Sequence, residues 1–346
     1  MVFMAAPFAE SILNFTMAKL KLSFACWDYD RTRALADGSV RAEGIDLVSL
    51  TLPVEETFFR MLRKQEFDCS EMSLSSYVLS LQQKKPPFIA IPVFPSRFFR
   101  HSCIFVSARS GITRPEQLAR KRIGVPEYQM TAAVWIRGML SDEFKVAPHS
   151  PHYLSGGLEQ TGRAEKLKLA LPPKFRLRPI GPKQTLSRML ADGDIDALHS
   201  ARAPSTLHTH PKAVRRLFKD YAAVERDYYR RTRLFPIMHT VVIRRELYRQ
   251  HPWIAGSLAK AFAAAQRKTY ADLGETAALK AMLPWLVAHV EETRREMGPD
   301  WWSYGLEPNH HVLETFLRYH REQGLSKKKL SPADLFAPET FESYRI

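Results

Sequence analysis

The chain has 346 residues, 45% hydrophobic and 25% charged, values near those of ordinary globular proteins that exclude a fibrous or wholly disordered chain. This length suits two domains of about 100–200 residues each better than one. The formal net charge is +15, but the bases are spread out, with only short clusters such as Lys327-Lys328-Lys329. Without zinc-finger spacing, RNP-like aromatics or a long basic helix, nucleic acid is not expected as a partner, and the charge reads as a field that attracts small anions.

Three cysteines, Cys26, Cys69 and Cys103, lack metal-ligand spacing and cannot all pair within one chain, so reduced, buried thiols and a cytoplasmic location are expected. Residues 1–17 have no basic n-region followed by an apolar h-region and read as an N-terminal extension. No apolar run approaches the roughly 20 residues that span a bilayer, so no membrane partner is expected.

In chain order, Leu20–Trp27 alternates as a strand does, Arg31–Ala36 suits a short helix, and Ile45–Leu52 is a second strand after the Glu43-Gly44 turn. Glu55–Lys64 carries Phe58, Met61 and Leu62 at helical spacing, and Phe88–Phe94 returns to strand. The β-α-β-α-β order implies a largely parallel sheet covered by helices. A strand at Cys103–Ala108, a turn and cap over Gly111–Leu118 and a strand at Arg122–Val125 open a second α/β unit. It continues through a helix at Thr131–Leu140, a loop-rich stretch from Pro148 to Pro182, a helix at Gln184–Ala191 and a strand at Ile195–Leu198. His239–Arg244 is a further strand, followed by helices at Pro252–Tyr270, Thr276–Met297 and His311–Gln323. The expected fold is therefore α/β and two-lobed, with residues 18–106 and 237–346 in one lobe and 107–236 in the other.

Several strings carry a resemblance. Gly111–Glu127 (GITRPEQLARKRIGVPE) resembles the entry to the second lobe of type II periplasmic-binding-protein folds, in which a ligand cleft lies between the lobes. Tyr29-Asp30-Arg31-Thr32, Glu43–Leu47, Glu71–Ser75, Phe94–His101, Pro126–Ala132 and Phe235–His239 are together similar to 4,5-dihydroxyphthalate decarboxylases, over roughly residues 18–320. The resemblance implies a carboxy-lyase converting 4,5-dihydroxyphthalate to protocatechuate and carbon dioxide. The alternative is a non-enzymatic solute-binding or sensor protein for a small aromatic anion, since the same cleft would serve it.

In open α/β sheets, ligands bind beyond the carboxyl ends of the strands. A planar guanidinium matches a carboxylate with two charge-assisted hydrogen bonds, so Arg97 and Arg202, one expected from each lobe, are the candidate clamps for a diacid; Arg31 is a further candidate. Decarboxylating an electron-rich ring requires polarising the phenol para to the departing carboxylate and protonating the carbon that bears it. His101 and His239, at expected strand ends, are the candidate proton-transfer groups. Glu127 could orient a histidine or hold a shared proton, and Tyr128 could stack on the ring. Ser73 and Thr131 offer hydroxyls near helix starts. Each has a plainer alternative: a surface ion pair, a buried structural histidine, a packed aromatic or an N-cap. His208-Thr209-His210 and His310-His311 lack a full ligand set. No metal site and no cofactor are expected, with a divalent cation and a homo-oligomer left open.

Overall fold

The computed structural model describes residues 18–341; the extension expected over residues 1–17 lies outside them. Strand β1 (Leu20–Cys26) buries Leu22 and Phe24 on one face. It is followed by α1 (Asp30–Ala36), β2 (Ile45–Thr51), α2 (Val54–Lys64), β3 (Cys69–Ser73), α3 (Leu74–Ser80) and β4 (Phe88–Arg97). In α2 the helical spacing is confirmed by burial of Phe58 and Met61, one turn apart, and the helix ends at Gln65 in the left-handed region. The Ser73 side chain accepts from Ser76 N–H and so caps α3.

The next strands are β5 (Ile104–Ser107) and β6 (Arg122–Val125), with α4 (Thr131–Phe144) between β6 and β7 (His152–Ser155). Then come β8 (Arg176–Pro179), α5 (Leu186–Asp192), β9 (Ala197–His199), α6 (Thr206–Thr209), β10 (Val214–Arg216) and α7 (Tyr221–Thr232). The chain returns through β11 (Ile237–Arg244) into α8 (Arg245–Gln250), α9 (Trp253–Gly274), α10 (Leu286–Met297) and α11 (His310–Glu322).

The strands form two sheets, ordered β2-β1-β3-β11-β4 and β10-β5-β9-β6-β7-β8. The first is mixed rather than largely parallel, because β11 runs antiparallel to both β3 and β4. A buried layer of Ile254, Leu258 and Phe262 on α9 covers one face of this sheet, and Leu186 and Leu190 on α5 cover one face of the second. Each such side chain contributes about 1.5–3 kcal/mol on burial.

Two expectations about lobe membership change. Ile104–Ser107 pairs with β9 and β10, so the second sheet begins before residue 107. The C-terminal region does not stay with the first sheet: α11 packs on α4, with Trp135 and Phe316 rings 5.5 Å apart, and a Cβ at Gly138 would collide with the Tyr319 ring. The helix expected at Thr276–Met297 forms only from Leu286. Pro284 disfavours helix at the residue before it, and residues 275–285 are exposed, so no burial compensates.

Candidate active site

The carboxyl ends of β1 and β3 are locked side by side by the parallel register Phe24↔Cys69 and Ala25↔Ser70, which sets Cys26 beside Glu71. Glu71 is fully buried and its carboxylate is saturated. Oε1 accepts from Tyr29 Oη and His239 Nδ1, each at 2.6 Å, while Oε2 accepts from Trp27 N–H at 3.2 Å. Burial alone would raise the Glu71 carboxyl, but the charge and hydrogen bonding of His239 and the bonds from Tyr29 and Trp27 outweigh it and hold the group below the usual carboxylate range. The Tyr29 phenol is driven strongly upward by burial and by Glu71, and so stays protonated as a donor.

His239 lies opposite Ser73 where the pairing of β11 with β4 is irregular, and the ring stands edge-on to Phe58 at 4.9 Å. In the tautomer whose Nδ1–H donates to Glu71, Nε2 is the acceptor nitrogen, and it has no hydrogen bond among the described residues. The side chain is 15% exposed. A carboxylate that fixes one ring nitrogen and leaves the other free is the arrangement by which proteins orient a general base.

On the second lobe Glu127 follows β6 and is also fully buried, but its partners are cations. Arg163 donates from Nε at 3.1 Å and also from Nη2, Lys166 donates from Nζ, and Gln129 Nε2 donates at 3.0 Å. Burial would raise this carboxyl, and Lys166 and Arg163 together hold it below the usual value. Lys166 is itself pushed down by burial. Beyond Glu127, Arg163 Nη1 reaches Glu55 Oε2 on α2 at 3.1 Å, and Arg202 Nη1 lies 3.8 Å from Glu55 Oε1. The two lobes thus meet across α2, with a carboxylate–imidazole pair on one side and a cationic cluster on the other. Among the described residues, no group of three or more His, Cys, Asp or Glu side chains converges as metal ligands would.

No family model matches the chain. It is 44% identical over 330 residues to the 4,5-dihydroxyphthalate decarboxylase of Comamonas testosteroni, covering 95% of this chain and 100% of that protein. The chain belongs to the family of 4,5-dihydroxyphthalate decarboxylases. The enzyme of the same name from Pseudomonas putida is 43% identical over 215 residues, covering 62% of this chain and 83% of that protein. Among solved structures, a ligand-binding component of an ABC-type import system from Staphylococcus aureus superposes with a TM-score of 0.51 at 12% identity, over 93% of this chain and 98% of that one. The periplasmic aliphatic sulphonate-binding protein of Escherichia coli gives 0.50 at 11% identity over the same shares. These two establish the two-lobed periplasmic-binding-protein fold for this family member and nothing about its ligand.

Of the residues expected at a decarboxylase site, the structure gathers His239, Glu127 and Arg202 around α2, and it gives the others different surroundings. Arg97 is buried, donating to Phe235 O, to Ser303 O at 2.7 Å and to Asn309 Oδ1, and burial lowers its pKa to about 10. Both terminal nitrogens of that guanidinium are taken by internal acceptors. His101 is packed between Phe218 and Tyr228, with burial pushing it down to about 4, and it shares no partner with His239. Glu127 orients no histidine and, paired with two cations, is ionised rather than a holder of a shared proton. Tyr128 lies in the core beneath Arg137 at 3.9 Å and donates to Gln323 O. Arg31 is sandwiched between the rings of Tyr29 and Trp302 at 4.2 and 4.3 Å. Ser73 and Thr131 bond to each other at 2.9 Å, stitching the start of α3 to the start of α4. The residues missed are Glu71, Arg163, Lys166 and Glu55. Only Glu71 carried a sequence signal, as an acidic residue at a strand end.

Proposed function

We propose that this chain is a carboxy-lyase that takes a hydroxylated aromatic dicarboxylate, 4,5-dihydroxyphthalate, to protocatechuate and carbon dioxide. The observation that carries the reading is that α2 touches both the Glu71–His239 pair, through Phe58, and the Arg163–Lys166–Arg202 cluster, through Glu55 and Phe59, with His239 Nε2 unbonded among the described residues. The cations receive the diacid, and His239 Nε2 accepts the proton of the hydroxyl para to the departing carboxylate. Charge on the phenolate oxygen raises electron density at the carbon bearing that carboxylate, which takes a proton from the second lobe's side. There Lys166 presents an ammonium whose charge burial disfavours. The ring–carboxylate bond then breaks, its electron pair restores the aromatic ring, and carbon dioxide leaves; His239 returns its proton to the phenolate. The sum consumes one proton per turnover.

Three free, buried thiols fit action in the reducing cytoplasm. The test is incubation of purified, metal-stripped protein with 4,5-dihydroxyphthalate while carbon dioxide and protocatechuate are measured together. Stoichiometric release of both is expected. Binding without release would instead favour the solute-binding reading that the fold also serves.

A further inference from the structure

Arg163 is aimed by the protein's own carboxylates. Glu127, buried and ionised, takes two of its nitrogens, which turns Nη1 outward toward the first lobe. Arg202 comes from the loop after β9, with its side chain 68% exposed, and points at the same place. What the two guanidiniums share there is a carboxylate supplied by the protein: Glu55 Oε2 lies 3.1 Å from Arg163 and Oε1 lies 3.8 Å from Arg202. Glu55 stands in the first turn of α2, is 39% exposed and makes no ion pair other than these two among the described residues.

We infer that Glu55 is an internal stand-in for a substrate carboxylate, occupying the Arg163–Arg202 receptor in the empty site and displaced by a vicinal aromatic dicarboxylate. The inference rests on the decarboxylase reading for the identity of the ligand. Charge supports it. Arg163, Lys166 and Arg202 are three cations, of which Glu127 permanently neutralises one. The two left over match a phthalate dianion, whereas a monoacid leaves one cation over. Displacement would thus favour diacids over monoacids, because a monoacid only matches the single charge of the Glu55 it displaces, whereas the diacid matches both cations. The neighbouring Glu165 carboxyl is spent on the Tyr128 N–H, and burial pushes it up to about 7, so it carries less than a full negative charge at neutral pH.

The experiment is calorimetric titration of wild type and Glu55→Gln with phthalate, benzoate and dimethyl phthalate, none of which carries the para-hydroxyl the reaction needs. Removing the competing carboxylate should tighten phthalate by about 2–5-fold, the scale of a partly exposed ion pair, and leave dimethyl phthalate unchanged. In an Arg163→Gln/Arg202→Gln background the same substitution should change nothing. Circular dichroism melting checks folding, and Glu55→Ala repeats the test with a different side chain. If Glu55→Gln weakens phthalate, leaves it unchanged, or tightens dimethyl phthalate equally, the inference is overturned. Carbon dioxide release from 4,5-dihydroxyphthalate by the same wild-type preparation separates the two readings: tightening of phthalate without release keeps the receptor and removes the enzyme, and release without tightening does the reverse.

Discussion

Glu71 and His239 stand on strands whose register is set by backbone ladders on both sides, whereas Arg163 and Lys166 stand in a stretch with neither helix nor strand between β7 and β8. The first wall is oriented by the sheet itself. A one-residue slip there would turn Glu71 away from His239, so the geometry is as stable as the core. The second wall is oriented by counter-charge, since the buried Glu127 carboxylate is what holds the two cations in place. Proton transfer needs heavy atoms held within hydrogen-bond reach, and anion binding needs charge that can adapt to the ligand. The molecule supplies the first from strands and the second from a loop.

Breaking the first wall should have the largest effect. His239→Gln removes the proposed base and should lower turnover about 10²–10⁴-fold while phthalate affinity, measured by calorimetry, stays near wild type. His101→Gln, at a histidine buried away from this pair, should leave turnover within a few-fold of wild type, so the two variants assayed side by side tell a catalytic ring from a structural one. Glu71→Gln keeps the shape but not the charge that orients the imidazole, and should cost about 10–100-fold in turnover.

On the second wall, Arg202→Gln should act mainly on KM, raising it about 10-fold, with kcat changed less. The smallest effect belongs to stability. Burial pushes Glu165 up to about 7, so below that pH the folded chain keeps a proton that the unfolded chain, with an ordinary carboxylate, gives up. Stability from this group therefore falls as pH rises from the ordinary carboxylate range through about 7. Glu165→Gln removes that titration, and its melting temperature should drop about 2–4 °C less than wild type between about pH 5 and about pH 8. Equal drops would show that Glu165 is ionised throughout.

The same contrast explains what was legible in the sequence. Alternation and turn residues located β1, β2, β6 and β11, and with them Glu127 just beyond β6, while His239, expected at the first position of its strand, is the third residue of β11. The loop-rich stretch from Pro148 to Pro182 was recognised as loop, but nothing local singles out Arg163 or Lys166 within it. Their role depends on Glu127, 36 and 39 positions away, and on α2, 108 positions away. Arg97 and His101 failed for a related reason. Both lie near the end of β4 or just after it, where the pairing of β4 with β11 is irregular, and simple alternation no longer says which way a side chain points.

Arg97 has one more consequence. The chain passes between the lobes four times: after β4, before β11, into α11 on the second lobe, and back to the first, where Ala337 N–H bonds Ala90 O at 2.9 Å. Two connecting strands alone would bend like the spine of a book, but the added loop through α11 laces the covers together. Arg97 ties the knot, holding Phe235 from one passage and Ser303 and Asn309 from the next in a single buried fork. A single buried guanidinium thus binds two of the four passages into one unit, so the segments that join the lobes do not behave as independent hinges.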